Sequence, residues 1–311
     1  MKSVVTLTMN PAIDTSASVD EIIPQKKLRC GNPLNEPGGG GINVSRAMKR
    51  LGGESLCFYT AGGPYGSILT ELLDAEDIPH EPISIQGATR ESIMILEEST
   101  RRQFRFSMPG PTLIEEEWER CLEIFTRLNL RPDYIVASGR LPSGVPDDFY
   151  VRLAKVAKNL NARFILDTSG QALREAVKGD IFLIKVNVRE FQDLIGKTLE
   201  NDDDRVSLAE ELINKGKVEN VVISLEERGA ILISREGTER VHVPPVEVNS
   251  TVGAGDSMVA GLVLGLAQGK SKKEALYLGV ASGTAAAMTP GTELCRREDA
   301  QLLYKELIKD A

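Results

Sequence analysis

The sequence predicts an α/β protein: a mostly parallel sheet covered by helices on both faces, with a small β-sheet lid attached. Three observations predict it. From residue 130 onward, short and almost wholly apolar strands alternate with amphipathic helices, the pattern of a sheet buried on both sides. Two glycine-rich junctions, Gly38–Gly41 and Gly253–Gly255, each open a helix. Two stretches, about 15–36 and 89–108, break the alternation with β-rich runs such as Ser92–Leu96 and Gln103–Phe106.

The elements follow in order. Ser3–Thr8 reads as the first strand. Tyr134–Ala137 precedes a helix near Asp147–Leu160, where Phe149, Leu153, Val156, Ala157 and Leu160 keep helical spacing. Strand Arg163–Leu166, a short helix near Gln171–Val177 and strand Ile181–Ile184 come next. Helices around Arg189–Ile195 and Arg205–Lys215 lead to strands Asn220–Ser224 and Ala230–Ile233, which close the sheet-forming part. After a β-prone run, the helix following Asp256 is apolar almost all round (Met258, Val259, Leu262, Val263, Leu266) and belongs in the core. Ser271 and Glu274 form a capping box for the next helix, whose small residues 281–287 suit close helix–helix contact. The division expected is a core of 1–14, 37–88 and 109–311 and a lid of 15–36 and 89–108. Isolated, that lid exposes an apolar face, so it should cover a site, a partner subunit or both.

Composition narrows the function. The 311 residues carry a formal net charge of -8 with no basic stripe, which disfavours nucleic acid and anionic membrane as partners. Cys30, Cys57, Cys121 and Cys295 lack metal-ligand spacing and read as reduced thiols. His80, in a Pro-flanked turn, and His242, in a short strand, adjoin no nucleophile, which argues against a Ser-His-Asp hydrolase or a His-rich metal site. No segment approaches a span of about 18 apolar residues, and the N-terminus lacks a signal-like apolar stretch, so a cytoplasmic location is expected.

The chemistry-bearing residues cluster at the two glycine junctions. Thr251-Val252-Gly253-Ala254-Gly255-Asp256-Ser257 offers bare backbone N–H groups and the positive end of a helix dipole to a phosphate. Asp256 there can take a proton from an attacking hydroxyl, although an Asp at a helix start is also an ordinary cap. Gly38-Gly39-Gly40-Gly41 leads into a helix bearing Asn43 on its first turn, and a ligand lying against the backbone accounts for so long a run. The run lacks the Gly-Lys-Ser/Thr of a Walker A loop and the context of a dinucleotide fingerprint. Asp14 lies just past the first strand, and Lys26, Lys27, Arg29 and Arg90 put cations on the two excursions. Asn187 and Glu190, after Lys185, are spaced to hold a hydrated magnesium ion or to cap a helix.

On Gly38–Gly53 (GGGGINVSRAMKRLGG) and Val248–Gly261 (VNSTVGAGDSMVAG), the chain resembles ribokinase-like (PfkB-type) sugar kinases over essentially its whole length. Lys27–Cys30, Glu36-Pro37 with the glycines, Asp167–Gly170 and Ser250–Met258 make it similar to the minor type of bacterial 6-phosphofructokinase. The resemblance implies a three-layer sandwich and Mg2+-ATP-dependent transfer to a hydroxyl of a phosphorylated hexose. It implies Asp256 as base, the N–H groups of Gly253, Ala254 and Gly255 as anion hole, and Asp14, Gly39 and Asn43 on sugar hydroxyls. Lys27, Arg29 and Arg90 would hold the 6-phosphate. Lys185, Asn187, Ser224, Gly229 and Thr251 would line the ATP site, with Glu190 near the magnesium and the lid forming a homodimer interface. Val186, Glu226-Glu227-Arg228, Thr289-Pro290 and Glu293 depart from the pattern, which leaves nucleotide preference, K+ dependence and allosteric ATP inhibition open. Thr8–Ala12 leans toward 1-phosphofructokinases and tagatose-6-phosphate kinases, which usually carry a lysine where this chain has Gly40. A non-catalytic sugar-phosphate sensor would normally have lost the base or an anion-hole glycine; both are present.

Overall fold

A computed structural model describes residues 1–127 and 131–309. The chain runs β1 (Val4–Thr8), β2 (Ala12–Val19), β3 (Leu34–Gly38), α1 (Gly40–Arg50), β4 (Leu56–Ala61), α2 (Gly63–Ala75), β5 (His80–Ser84), β6 (Arg90–Glu97) and β7 (Arg102–Ser107). Then come α3 (Glu115–Arg127), β8 (Tyr134–Ser138), α4 (Phe149–Asn159), β9 (Arg163–Asp167), α5 (Gly170–Ala176), β10 (Ile181–Asn187), α6 (Val188–Ile195) and α7 (Asp202–Asn214). β11 (Val218–Ser224), β12 (Ala230–Ser234), β13 (Gly237–Val241), α8 (Ala254–Ala267), α9 (Lys272–Ala287) and α10 (Arg297–Lys309) complete it.

The main sheet has nine strands in the order β13-β12-β11-β10-β9-β8-β1-β4-β5. Every pairing from β5 across to β11 is parallel, and β12 and β13 add an antiparallel edge. Alternate side chains feed opposite cores. Val5, Leu7, Ile135 and Ala137 pack with Phe149, Leu153, Phe191 and Ile213 of α4, α6 and α7. Val4, Tyr134 and Val136 pack with Val44 and Met48 of α1 and with the apolar sides of α8, α9 and α10. The three-layer sandwich is therefore formed. The second sheet, β3-β2-β6-β7, has four strands and stands apart from the first.

α8 and α9 are both buried, and glycines let their backbones approach. A Cβ on Gly265 would sit 2.8 Å from Ala275, and one on Gly279 would sit 2.9 Å from the Met258 carbonyl. The small residues of α9 thus serve helix contact. The Ser271–Glu274 capping box is present with both reciprocal bonds.

Several details differ from the sequence reading. His80 starts the edge strand β5 and does not lie in a turn; Pro82 is tolerated there because an edge strand has one unpaired side. The short strand expected at His242 is β13, which ends at Val241, so His242 lies just beyond it. The β-prone run before Thr251 is not a strand, since Pro244 and Pro245 remove two ladder donors. Asp14 lies inside β2 of the small sheet, paired with Glu36, and not at the end of a core strand. Among the described residues, no helix is long and apolar enough to cross a membrane.

The junction of α1 with β1 is closely packed. A Cβ on Gly41 would lie 2.6 Å from the Leu7 carbonyl and 2.7 Å from Thr8 Oγ1, the hydroxyl that accepts from the Ile42 N–H at 2.8 Å. Gly41→Ala should therefore overpack the core at a cost of about 1–3 kcal/mol and lower the melting temperature by roughly 3–10 °C. Thermal unfolding checks this, and an unchanged Tm contradicts the packing account.

Candidate active site

The centre of the site is the start of α8. Gly253, the N-cap, is left-handed with φ 72°, and a Cβ there would also meet Leu294 at 2.5 Å. Both conditions require glycine. The first N–H groups of a helix have no partner within it, so Gly253, Ala254 and Gly255 present donors at a positive helix end. Asp256, third in α8, is half-buried beside them. Asn43 Nδ2 donates to its Oδ2 at 2.9 Å, and Ser138 Oγ stands 3.5 Å from its Oδ1. Burial, together with the charge of Asp167, pushes the Asp256 carboxyl up to about 7, against the pull of Asn43 and Lys185. A carboxyl titrating near neutrality is suited to exchanging a proton with a hydroxyl.

Lys185, buried at the end of β10, carries the cation of the site. Its Nζ is 3.3 Å from Asp167 Oδ2 and would be 3.0 Å from a Cβ on Gly255, which places the ammonium against the anion hole. Burial pulls its pKa down, but Asp167, Glu190 and Asp256 outweigh that and hold the ammonium charged. Asn187 and Glu190 form a reciprocal capping box at the start of α6, with bonds of 2.8 and 2.9 Å. The capping alternative is thus realised, and Glu190 Oε1 is left over. Burial raises the Glu190 pKa, and Asp167 adds to the rise. The carboxylates of Glu190 and Asp167 are hard-oxygen ligands of the kind a magnesium ion takes, and it needs few protein ligands beside its waters.

The small sheet brings the remaining groups. Asp14 lies against Gly38, and burial pushes its carboxyl up to about 6, against Arg90 and Arg46. Arg90 donates to Asn10 Oδ1 at 3.2 Å, Ser92 Oγ at 2.8 Å and Ser107 Oγ at 3.1 Å. Ser224 pairs with Asn187 across β10 and β11, and Gly229, at φ 100°, turns the chain against Val241. Thr251 is exposed and is approached at 3.5 Å by Arg105 of β7. Lys27 and Arg29 lie exposed on the loop between β2 and β3; the structure does not bring them to Asp256.

Close packing between protein segments by itself accounts for the four-glycine run. Gly38 abuts the Asp14 carboxylate, Gly39 would meet Thr8 at 2.8 Å, Gly40 abuts Ser138, and Gly41 abuts β1. Packing between protein segments requires these glycines without a ligand. Asp167, Ser138 and Arg105 were not singled out as site residues from the sequence. The first two could have been, since each ends a buried parallel strand, where such folds place ligands. Arg105 carries no such signal.

Comparison with known proteins agrees with this geometry. The pfkB family of carbohydrate kinases matches residues 2–299. The ATP-dependent 6-phosphofructokinase isozyme 2 of Mycobacterium tuberculosis is 42% identical over 302 residues, covering 97% of this chain and 89% of that protein. The protein of the same name from Escherichia coli is 40% identical, with 99% of each covered. A 1-phosphofructokinase of Bacillus subtilis is 33% identical over 97% of each. The crystal structure of Escherichia coli phosphofructokinase-2 with potassium superposes with a TM-score of 0.95 at 39% identity, covering 99% of this chain and all of that one. An inhibited form of that enzyme is described as tetrameric. The chain belongs to the pfkB family of carbohydrate kinases.

The Asp256 environment sets a pH dependence of stability. With a folded pKa of about 7 against an ordinary value of 3.8, the folded state binds the extra proton between those limits. Stability contributed by this group is greatest at low pH and falls as pH rises toward 7. Asp256→Asn removes that loss. The melting temperature of the variant relative to the parent should rise from pH 4.5 to pH 8, and a flat difference rejects the perturbed carboxyl.

Proposed function

We propose that the chain is an ATP-dependent 6-phosphofructokinase, transferring the γ-phosphoryl of ATP to the 1-hydroxyl of fructose 6-phosphate and giving fructose 1,6-bisphosphate. The observation that carries the reading is a near-neutral carboxyl, Asp256, fixed by Asn43 at the donor-rich start of α8 with Lys185 beside it. The 40–42% identity to enzymes of that name supports the substrate.

Each residue then has a chemical part. Asp14, Asn43 and the Gly39 backbone orient the sugar hydroxyls so that the reacting oxygen faces Asp256, which removes its proton. The N–H groups of Gly253, Ala254 and Gly255, with Lys185, stabilise the charge that develops on the transferred group. Arg90, joined by Lys27 and Arg29 from the loop between β2 and β3, holds the 6-phosphate. Asn187, Ser224, Gly229 and Thr251 line the nucleotide site, where Arg228 fastens the charged loop to Asp202 at 2.8 Å. Glu190 and Asp167 would hold Mg2+, which would supply charge neutralisation on the polyphosphate. Potassium enters the reading through the relative solved with it; here the Ser250 and Thr289 hydroxyls donate to the Gly291 and Glu293 carbonyls at 2.6 Å. The cytoplasm, which holds both substrates, is the proposed location.

Tagatose-6-phosphate kinase and 1-phosphofructokinase are the second reading, supported by the Bacillus subtilis relative. Gly40 speaks against it, because any side chain at that position would run into Ser138. A sensor without catalysis is disfavoured by the complete base and anion hole.

We also propose a homodimer through the lid. Pairing places Asn35, Thr15, Ile93 and Phe106 in one row, and Ile95 and Phe104 in another on the same outer face. Phe106 is 50% exposed there, while the opposite face carries Asp14, Glu36 and Met94 toward the core. A second copy would cover those apolar side chains. The tetramer described for the relative is compatible with dimers that associate further.

Coupled ADP-release assays over fructose 6-phosphate, fructose 1-phosphate, tagatose 6-phosphate and unphosphorylated fructose should give the highest kcat/KM for fructose 6-phosphate; preference for another sugar rejects the assignment. Asp256→Asn should lower kcat by about 10²–10⁴ with little change in sugar-phosphate affinity.

Arg90→Ala should raise KM for fructose 6-phosphate roughly 10–150-fold with the KM for ATP unchanged. Equal weakening for fructose itself shows that Arg90 does not serve the phosphate.

Light scattering at assay concentration should report at least a dimer, with specific activity falling on dilution into monomers. A fully active monomer overturns the lid interface.

A further inference from the structure

Arg46 is 2% exposed and sits on α1, outside the catalytic groups. It binds Glu36 of β3 at 3.0 Å, Glu76 at the end of α2, and the Pro37 carbonyl at 2.9 Å. Glu36 is two residues from the end of the lid strand, where the lid joins the core. Its other oxygen accepts a hydrogen bond from the hydroxyl of Thr292, which is itself buried. A residue at a pivot needs to turn only slightly to move the far end of its sheet. Arg46 and Thr292 together fix that angle from two sides.

Thr292 belongs to the 288–295 loop, and this loop also supports the anion hole. Ser250 Oγ donates to the Gly291 carbonyl at 2.6 Å. The Leu294 side chain lies against Gly253 at the start of α8, and the Cys295 N–H donates to Ser257 Oγ at 3.4 Å. On its lid side, Gly291 lies under Met94 of β6. One short segment therefore touches both the lid and the residues whose N–H groups receive the phosphoryl group.

We infer that Thr292 and Glu36 are a positioning pair that transmits the seating of the lid to the anion hole. With the lid seated, the Thr292–Glu36 bond holds the loop, and the loop holds Leu294 against Gly253. When the lid tilts, Glu36 withdraws, the loop loses its outer support, and the first turn of α8 loosens. Phosphoryl transfer is thereby restrained until the sugar side is closed. This kinetic consequence rests on the phosphotransferase reading above; the mechanical coupling does not.

The test compares full-length parent, Thr292→Val and Thr292→Ser. Amide hydrogen exchange of the ligand-free proteins should be faster in Thr292→Val both at 34–38 and at 250–257, with Thr292→Ser restoring both. In assays, Thr292→Val should lose about tenfold in kcat/KM for the sugar phosphate, the typical effect of one lost hydrogen bond to a charged group, while the KM for ATP holds. Faster exchange at 34–38 alone, or exchange and kinetics both unchanged, overturns the coupling. If Thr292→Val does not fold, Thr292→Ala, which likewise removes the hydroxyl that donates to Glu36, is judged by the same two segments and the same outcomes. If the parent phosphorylates no sugar phosphate, the functional reading fails and the exchange comparison still decides the coupling.

Discussion

A carboxylate that is to accept a proton must be held firmly without being paired so well that it ceases to be basic, and the site is arranged around that conflict at Asp256. An Asp bound directly by a buried cation would be strongly acidic. Here the near cation, Lys185, is bonded to Asp167, and Asp256 receives a neutral amide from Asn43. Burial and the charge of Asp167 oppose its charged form more strongly than the Asn43 amide and Lys185 favour it, and the carboxyl is carried up to about 7. The positions of β9, β10 and α1 relative to α8 are all consequences of bringing those three partners to one carboxyl.

Such convergence demands close backbone approach, which explains where the glycines lie. α8 needs Gly253 for its left-handed start and packs along α9 through Gly261, Gly265 and Gly279. α1 reaches β1 and β8 through Gly40 and Gly41. A side chain at any of these positions would push Asn43 or Asp256 away from its partner, so the glycines act on the chemistry through distance. The backbone entropy they cost on folding is offset by the two large apolar cores on either side of the sheet.

Much of this was legible in the sequence. Strands buried on both faces announce themselves as apolar runs, so the parallel sheet from Tyr134 to Ser224 was readable with errors of a few residues at the ends. The glycine junctions announced α1 and α8, and Asp256 and Asn43 with them. What could not be read depended on contacts remote in the chain. His80 and Pro82 looked like a turn because nothing local reveals that β5 is an edge. Asn187 and Glu190 supported capping and metal binding equally, and only their mutual bonds separate the cap from the residual oxygen. Nothing local distinguishes Arg46 from any other helical arginine, and its burial between Glu36 and Glu76 depends on three separate segments meeting.

The distribution of charge supports one further step. The chain is acidic overall, at -8, yet both of its reactants on the proposed reading are anions. On the core side of the site the carboxylates of Asp167, Glu190 and Asp256 surround a single lysine, so an anion arriving there alone meets a weakly attractive field. The lid supplies Arg90 and Arg105, and its connecting loop adds Lys27 and Arg29. On that reading a sugar phosphate is attracted to the lid's arginines, since opposite charges gain most where water is excluded. That attraction depends on the phosphate already on the sugar, a group unmodified fructose lacks. The lid also carries the carboxylates of Asp14 and Glu36, but Asp14 faces Arg90 and Glu36 is bonded to Arg46, so their charge is largely met within the protein.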